Sequence, residues 1–310
     1  MQQVRLPRFR RESTIPQIEL TARDRHIIRL VHRHRFLRSH QISSLVGGSL
    51  QHASRRLKLL FHHGYLERPR AQLTYYYQGG SRSIVYGLGN KGGALLKQEL
   101  GNSFREVSWG DKNHSIGRMF LEHALLVSDV MVTLELACRA SGRIRIVHQD
   151  ELEAQSKRRF KWRAQVNPNV KLGIVPDRAL ALEWEKSDGA TERAYFFLEA
   201  DRGTMPVKRS NLFQTSMYRK FLAYEATWSQ DLHRTKFGFH RFRVLTVTKS
   251  AARVKSLVDA CSQLERGHGI FLFADQSVLE KLDILSTPLW QTGRPNESTC
   301  LINPPTGQIP

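Results

Sequence analysis

The chain has 310 residues and is 40 % hydrophobic, enough for two ordinary domains with packed cores, so wholesale disorder is excluded. Its formal charge of +20 points to a polyanionic partner, and the lack of any run of roughly 18 apolar residues argues against a membrane span. Cys138, Cys261 and Cys300 lie far apart with no Cys-x-x-Cys pair, so neither a zinc ribbon nor a disulfide framework is supported, and a reducing cytoplasm is the expected location.

The charge is uneven: residues 1–100 carry 18 Lys and Arg against 5 Asp and Glu, and residues 101–310 carry 30 against 23. The first 19 residues, rich in arginine and without an apolar h-region, read as a basic arm that touches nucleic acid rather than as a signal peptide. Thr21 is a suitable N-cap with Asp24 three residues on, and Ile27, Ile28, Leu30 and Val31 give the following helix an apolar face. A second short helix ends at Gly47-Gly48. Ser49 then caps a third, with Ala53, Leu57, Leu60 and Phe61 inward, Gln51, Arg55, Arg56 and Lys58 outward, and Gly64 as its C-cap. The runs "LTYYYQGG" and "SIVYGLGNKG" form a hairpin signal.

Three helices and a hairpin are the order of a winged helix-turn-helix, predicted over 20–100. The third helix would enter a major groove of double-stranded DNA with Gln51, Arg55, Arg56 and Lys58, and the hairpin around Gly79–Arg82 would be the wing, with Arg82 as a further DNA contact. The other use of such a module is protein contact alone. His32, His34, His62 and His63 lack carboxylate or Cys partners at ligand spacing, so no metal site is expected there.

Residues 101–116 are polar and read as a linker to a second domain over 117–290, followed by an irregular tail over 291–310. The second domain opens with a long helix, "GRMFLEHALLVSDVMVTLELACRASG", whose inward face is predicted to include Phe120, Ala124, Val127, Met131, Leu134 and Cys138, with His123 within that face and Glu122 at its edge. Strands follow in "RIRIVHQDEL", "GIVPDRALALEWE" and "RAYFFLEAD", the first two separated by "SKRRFKWR", a basic loop with two aromatics. A helix over "VKRSNLFQTSMYRKFLAYEATW" precedes strand "FRVLTVT", helix "SAARVKSLVDACSQLE" and strand "GIFLFAD". The order αβββαβαβ implies an α/β domain with a mixed sheet and helices on both faces. No strand is followed by a Gly-rich phosphate loop, which disfavours an ATPase or a dinucleotide enzyme.

Acids end two of these strands. Alternation places Val175 and Asp177 on one face of their strand, and Phe197, Glu199 and Asp201 on one face of the next. Neighbouring strands would bring Asp177 and Glu199 to one end of the sheet, where two carboxylates repel unless a cation joins them. Oxygen ligands completed by water suit Mg²⁺ or Mn²⁺. The plainer alternative is a strand end whose acids pair with Arg178 or Arg202, with Asp201 beginning a turn.

"PD" in one strand and "ExD" at the end of the next, after a helix, resemble the PD-(D/E)xK nuclease superfamily. The chain over roughly 20–285 resembles the replication-relaxation family of plasmid and integrative elements, in "RRLKLLFHHGYLER", "YGLGNKGGALL", "LEHALLVSDVMVTLEL", "VPDRALAL", "FFLEADRGT" and "FRVLTVTKSAARVKSL". That family is similar to the C class of mobilization relaxases. The resemblance implies a bacterial DNA-nicking protein in plasmid mobilization or replication, with Asp177 and Glu199 as metal ligands and replication or conjugation proteins as partners. The lysine of the superfamily motif is missing and Asp201 stands in its place, either as a further ligand or as the mark of an inactive site. On the next helix Phe213, Met217, Phe221 and Tyr224 form the predicted inward stripe, and Lys220 lies about 55° from its centre at ~100° per residue. Lys220 is therefore the candidate displaced lysine, its alternative role being to cover core. In this architecture the long helix can offer an acid, making Glu122 a third candidate ligand. His123, Arg202 and Tyr224 are candidates to support the site. Tyr218 and Tyr224 also invite a covalent tyrosine mechanism, which the missing His-hydrophobe-His strand disfavours. A homodimer would suit two DNA half-sites, though no heptad run supports one. The rival reading is a catalytically inactive DNA-binding replication accessory protein or repressor that keeps the nuclease fold as scaffold.

Overall fold

The computed structural model describes residues 7–12, 15, 17–73, 83–101, 108–186, 188–281 and 283–302. The chain divides into two compact units, 1–132 and 133–310. Among the described residues no helix is long and apolar enough to cross a membrane.

In the first unit α1 (Ala22–His34) starts at the predicted cap: the Thr21 hydroxyl accepts from the Asp24 amide, and the Asp24 carboxylate accepts from the Thr21 amide. β1 (Phe36–Arg38), α2 (Ser39–Val46) and α3 (Leu50–His62) follow, α3 capped by Ser49 and succeeded by Gly64 at φ +82. β2 (Leu66–Glu67) and β3 (Val85–Leu88) complete an antiparallel sheet of order β1-β3-β2, with Phe36 opposite Gly87 and Leu66 opposite Leu88. The hairpin tip, including Gly79 and Arg82, lies outside the described residues.

Downstream of β3, sequence periodicity reads no helix, yet α4 (Asn90–Leu100) forms there. It contains two glycines because it packs at backbone distance: a Cβ on Gly92 would stand 2.3 Å from the Tyr65 carbonyl oxygen, and one on Gly93 would stand 2.5 Å from the Trp109 ring. A short α5 (Trp109–His114) occupies part of the segment read as linker. The long helix α6 (Arg118–Ser141) runs through the boundary between units. Its first half buries Leu121 and Leu125 against Phe36 and Val85, and Ser128 Oγ donates to the Phe36 carbonyl at 2.7 Å. Phe120, predicted inward, is 50 % exposed, because the buried face is centred on Leu121 and Leu125 instead.

In the second unit β4 (Ile144–Val147), β7 (Arg178–Glu185) and β8 (Thr191–Ala200) are antiparallel neighbours. β9 (Phe242–Thr248) and β10 (Phe271–Asp275) continue parallel to β8, so each requires a crossover, supplied by α8 (Met217–Ser229) with α9 (Leu232–Phe237), and by α10 (Ala251–Cys261). In the tail, predicted irregular, β11 (Trp290–Thr292) and β12 (Ser298–Thr299) add two more strands, while residues 303–310 lie outside the described ones. The result is a seven-stranded mixed sheet of order β12-β11-β10-β9-β8-β7-β4.

Other expected elements differ. The predicted strand through His148 stops at Val147, where His148 and Glu151 open helix α7 (Gln149–Ser156). The predicted basic loop is partly strand: β5 (Trp162–Asn167) pairs with β6 (Val170–Ile174) as a separate two-stranded sheet. Alternation misses this because Phe160, Trp162 and Ala164 turn inward between exposed cations. The strand predicted through Pro176 breaks there, a residue with no N–H to donate, and β6 and β7 belong to different sheets. The helix predicted from Val207 begins at Met217 behind the Ser216 cap, so Phe213 belongs to the preceding turn and is 77 % exposed rather than inward.

One core runs beneath the acid end of the large sheet. Phe197 of β8 packs against Phe160, Trp162, Tyr224 and Phe242, with ring centroids 5.1–5.9 Å apart, and Met217, Phe221 and Tyr224 of α8 bury into the same cluster. This packing fixes the rotation of α8 over the sheet, and hence the direction of its neighbouring polar side chains.

Candidate active site

The acid end of the sheet is built by the start of β7 and the end of β8. Asp177 immediately precedes β7. Its amide donates to the Leu198 carbonyl at 3.0 Å, and its Oδ2 accepts from the Ala200 amide at 2.8 Å. The carboxylate thus continues the β7–β8 ladder past Pro176 and is held by backbone on both sides.

Glu199 stands next to it on the face of β8 that also carries Phe197. It is 2 % exposed, and both its oxygens are engaged: Lys220 Nζ donates to Oε2 at 2.5 Å and the Tyr224 hydroxyl donates to Oε1 at 2.6 Å. Lys220 and Tyr224 are four residues apart and so lie one above the other on α8. Burial of Tyr224 therefore directs Lys220 to the same carboxylate. The structure brings Asp177, Glu199, Lys220 and Tyr224 together.

The electrostatics of this group are set by burial and by two acids close to the Lys220 ammonium, with the half-buried Arg178 guanidinium a further cation that feels Asp177. Burial pushes the Glu199 pKa up, Asp177 adds to the rise, and Lys220 only partly opposes it. Burial works against the Lys220 ammonium, but the Glu199 and Asp177 carboxylates outweigh it and its pKa rises too. An isolated ion pair would lower its acid. Here both groups hold their protons more tightly than in water, Glu199 mainly because burial disfavours its charged form and Lys220 because two carboxylates favour its charged form. The Tyr224 phenol is pushed well above its ordinary range, first by burial and then by Glu199, so it remains a donor.

Asp201, the third acid, is held elsewhere. Arg253 Nε donates to its Oδ2 at 2.8 Å, Thr248 Oγ1 donates to the same oxygen at 2.9 Å, and the Gly203 amide donates to Oδ1 at 3.0 Å. Its side chain is 2 % exposed. Sequence pattern gives no signal for Arg253 or Thr248: one is an arginine in the first turn of an ordinary helix, the other a threonine at a strand end. Glu122 pairs with Arg118 one turn before it, at 2.7 Å, within the first unit. His123 is half-buried on the same helix, and Arg202 is buried beside Asp201. Tyr218 covers a different surface, its hydroxyl 3.5 Å from the Gln263 carbonyl and its ring under Lys208. Among the described residues no three His, Cys, Asp or Glu side chains gather as a metal-binding group.

Among the predicted DNA contacts, Gln51 and Arg55 are exposed on α3 and Lys58 is half-buried. Arg56 is turned to an architectural use. Its Nε and Nη2 donate to the two oxygens of the fully buried Asp24 at 2.7 and 2.6 Å, which locks α3 to the first turn of α1. Burial works against the Asp24 carboxylate, but hydrogen bonds from Arg56 and Thr21 outweigh it and hold its pKa below the usual range. Arg82 lies outside the described residues.

Comparison with curated proteins yields no match, and neither does comparison with solved structures. A family model described as replication-relaxation matches residues 28–240, well over half of the chain, and the matched span includes Asp177, Glu199, Lys220 and Tyr224. The chain belongs to the replication-relaxation family.

Proposed function

We propose that this protein grips duplex DNA with its first unit and nicks it, with a divalent metal ion, at the Asp177–Glu199–Lys220 cluster of its second. Membership in the replication-relaxation family suggests a role in DNA replication or mobilization. The order α1-β1-α2-α3-β2-β3, with the sheet order β1-β3-β2, supports a winged helix-turn-helix reading in which α3 presents Gln51 and Arg55 to DNA. A helix, an antiparallel three-strand meander and a parallel strand reached through α8 support a PD-(D/E)xK-like reading of the second unit.

One observation carries the catalytic proposal: the buried Glu199, beside Asp177, receives the ammonium of Lys220 from the next helix. In this reading Lys220 takes the part of the superfamily lysine, while Asp201 stands at that lysine's place in the sequence. Asp177 and Glu199 would be the ligands of Mg²⁺ or Mn²⁺, two hard carboxylates at one end of the sheet, with water completing the set. Asp201 stands outside that pair, its carboxylate held by Arg253, Thr248 and the Gly203 amide. When bound, the ion would neutralise phosphate charge and acidify a water. Lys220 would stabilise the charge that builds on the phosphate as water adds to phosphorus. The P–O bond to one strand would then break, and the leaving oxygen would take up the proton that the attacking water gives up. Asp177, tied to the Ala200 amide, and Tyr224, tied to Glu199, hold the two acids in place.

The test is relaxation of supercoiled plasmid by the full chain in Mg²⁺ or Mn²⁺. Wild type is expected to yield nicked circles, and Asp177→Ala and Glu199→Ala are each expected to abolish them while binding DNA as before. The inactive-scaffold reading draws on the commitment of Asp201 to Arg253. It is favoured if wild type binds plasmid but leaves it supercoiled in every metal.

A further inference from the structure

The segment Lys157–Ile174 carries six Lys and Arg and no Asp or Glu. It forms the end of the turn after α7 and the β5–β6 hairpin. Lys157, Arg158, Arg159, Lys161, Arg163 and Lys171 are all exposed, and none makes an ion pair with any described residue. A cation row without counter-acids is unusual for a surface strand pair, where opposite charges stabilise each other across the ladder.

The alternation of the hairpin explains how the row is held. Trp162, Ala164, Leu172 and Ile174 turn inward and are buried. Trp162 Nε1 donates to Thr227 Oγ1 of α8 at 2.9 Å, and its ring lies 5.1 Å from that of Phe197, two residues before Glu199. The two aromatics of the basic segment are therefore anchors and not base-stacking platforms. Lys161, Arg163 and Lys171 are left on the outer face, with successive outward residues about 6.8 Å apart along a strand. Opposite Arg163 stands Gly173, where an added Cβ would meet nothing within 4 Å. A glycine on an open strand face keeps room for another backbone to approach. β6 ends at Ile174, three residues before Asp177, so the ledge is joined to the acid pair by its own chain as well as through Trp162 and Phe197.

We infer that the outer face of the β5–β6 hairpin is a second, sequence-independent DNA contact, in which Lys161, Arg163 and Lys171 neutralise backbone phosphates beside the Asp177–Glu199 cluster. This rests on the proposal that DNA is the substrate of that cluster, and adds that the second unit holds the backbone itself rather than relying on α3 alone.

The experiment measures binding of the full chain to a 30-base-pair duplex as a function of KCl. Lys161→Gln/Arg163→Gln/Lys171→Gln is compared with Arg241→Gln/Lys255→Gln/Lys281→Gln, which removes the same charge from exposed positions elsewhere in the unit. The slope of log K against log salt should fall in magnitude by roughly 0.9 for each phosphate no longer neutralised, about 2–3 in all, in the hairpin variant only, with affinity at least about tenfold weaker at 0.1 M salt. Gly173→Glu, which has open space around it, should weaken binding in the same direction without unfolding the chain. Equal effects of the two triple variants, or a hairpin triple with the wild-type slope, overturn the inference and leave the ledge to a different partner such as an acidic protein. If Arg55→Ala still weakens binding in that case, the DNA reading stands without the ledge. A wild-type chain that binds no duplex overturns both.

Discussion

Lys220→Met is expected to slow plasmid nicking by about 10²–10³-fold, equivalent to about 2.7–4 kcal/mol, with duplex affinity unchanged. The magnitude is that of removing one preorganised donor from a site where charge develops. Lys220 is held in place by its surroundings, since the buried Tyr224 one turn later fixes the face of α8 that carries it, and its ammonium lies 2.5 Å from Glu199. A lysine that merely covered core would give a different result, a small loss of stability with no loss of rate. The pH dependence follows from the upward shift of Lys220. A raised folded-state pKa keeps the ammonium charged through neutral and mildly alkaline pH, and its contribution to stability is complete below the unfolded value and lost only as pH rises through the folded one. Rate in the wild type should therefore not fall from loss of this proton anywhere near neutrality. Measuring nicking rate and duplex affinity side by side, across neutral and mildly alkaline pH, checks both statements.

The largest effect on folding is expected at Arg56. Arg56→Met leaves the Asp24 carboxylate, fully buried at the N-terminus of α1, without its two guanidinium hydrogen bonds, and unpaired buried charges of this kind destabilise by about 3–5 kcal/mol. Arg55→Met, one residue away and exposed, should leave stability within about 0.5 kcal/mol and lower only DNA affinity. The two neighbours thus separate architecture from recognition. The sign of the acid dependence is fixed by Asp24: its folded-state pKa lies below the unfolded value, so its contribution is present above about pH 4 and disappears as pH falls through the folded value. Urea unfolding of both variants at neutral pH should show the gap, and the gap between wild type and Arg56→Met should narrow below about pH 4.

The acid pair and its lysine are legible in the sequence for a physical reason. Asp177 and Glu199 stand at the ends of two largely apolar runs, and Lys220 falls at the margin of a stripe whose centre, Met217–Phe221–Tyr224, is buried. Period and polarity suffice for such positions because the packing of Phe197 against Tyr224 enforces them. Asp201 is equally visible as an acid, but its role depends on Arg253, 52 residues away on another helix, and no local pattern reports a partner at that distance. Arg56 illustrates the same limit: on a helical wheel it looks like its neighbour Arg55, and only the buried Asp24 distinguishes them. The β5–β6 hairpin reads as loop because six cations mask an inward row of Phe160, Trp162 and Ala164. Pattern alone also starts α8 too early, because Phe213 stands four residues before Met217, in step with Phe221 and Tyr224, without being helical. The Ser216 cap, whose hydroxyl accepts from the Arg219 amide at 3.2 Å, marks the true start.

If Asp177 and Glu199 together form a divalent-cation pocket, an ion should bind there without any DNA. Mn²⁺ titration of the full chain, followed by electron paramagnetic resonance, tests this with no assay of cleavage. One tightly held Mn²⁺ per chain is expected in wild type, weakened as pH falls because protons compete for Glu199. That ion should be lost in Asp177→Asn and in Glu199→Gln, and held more tightly in Lys220→Met. Mn²⁺ that binds equally well to wild type and to both carboxamide variants, or no bound ion in any of them, would contradict the pocket.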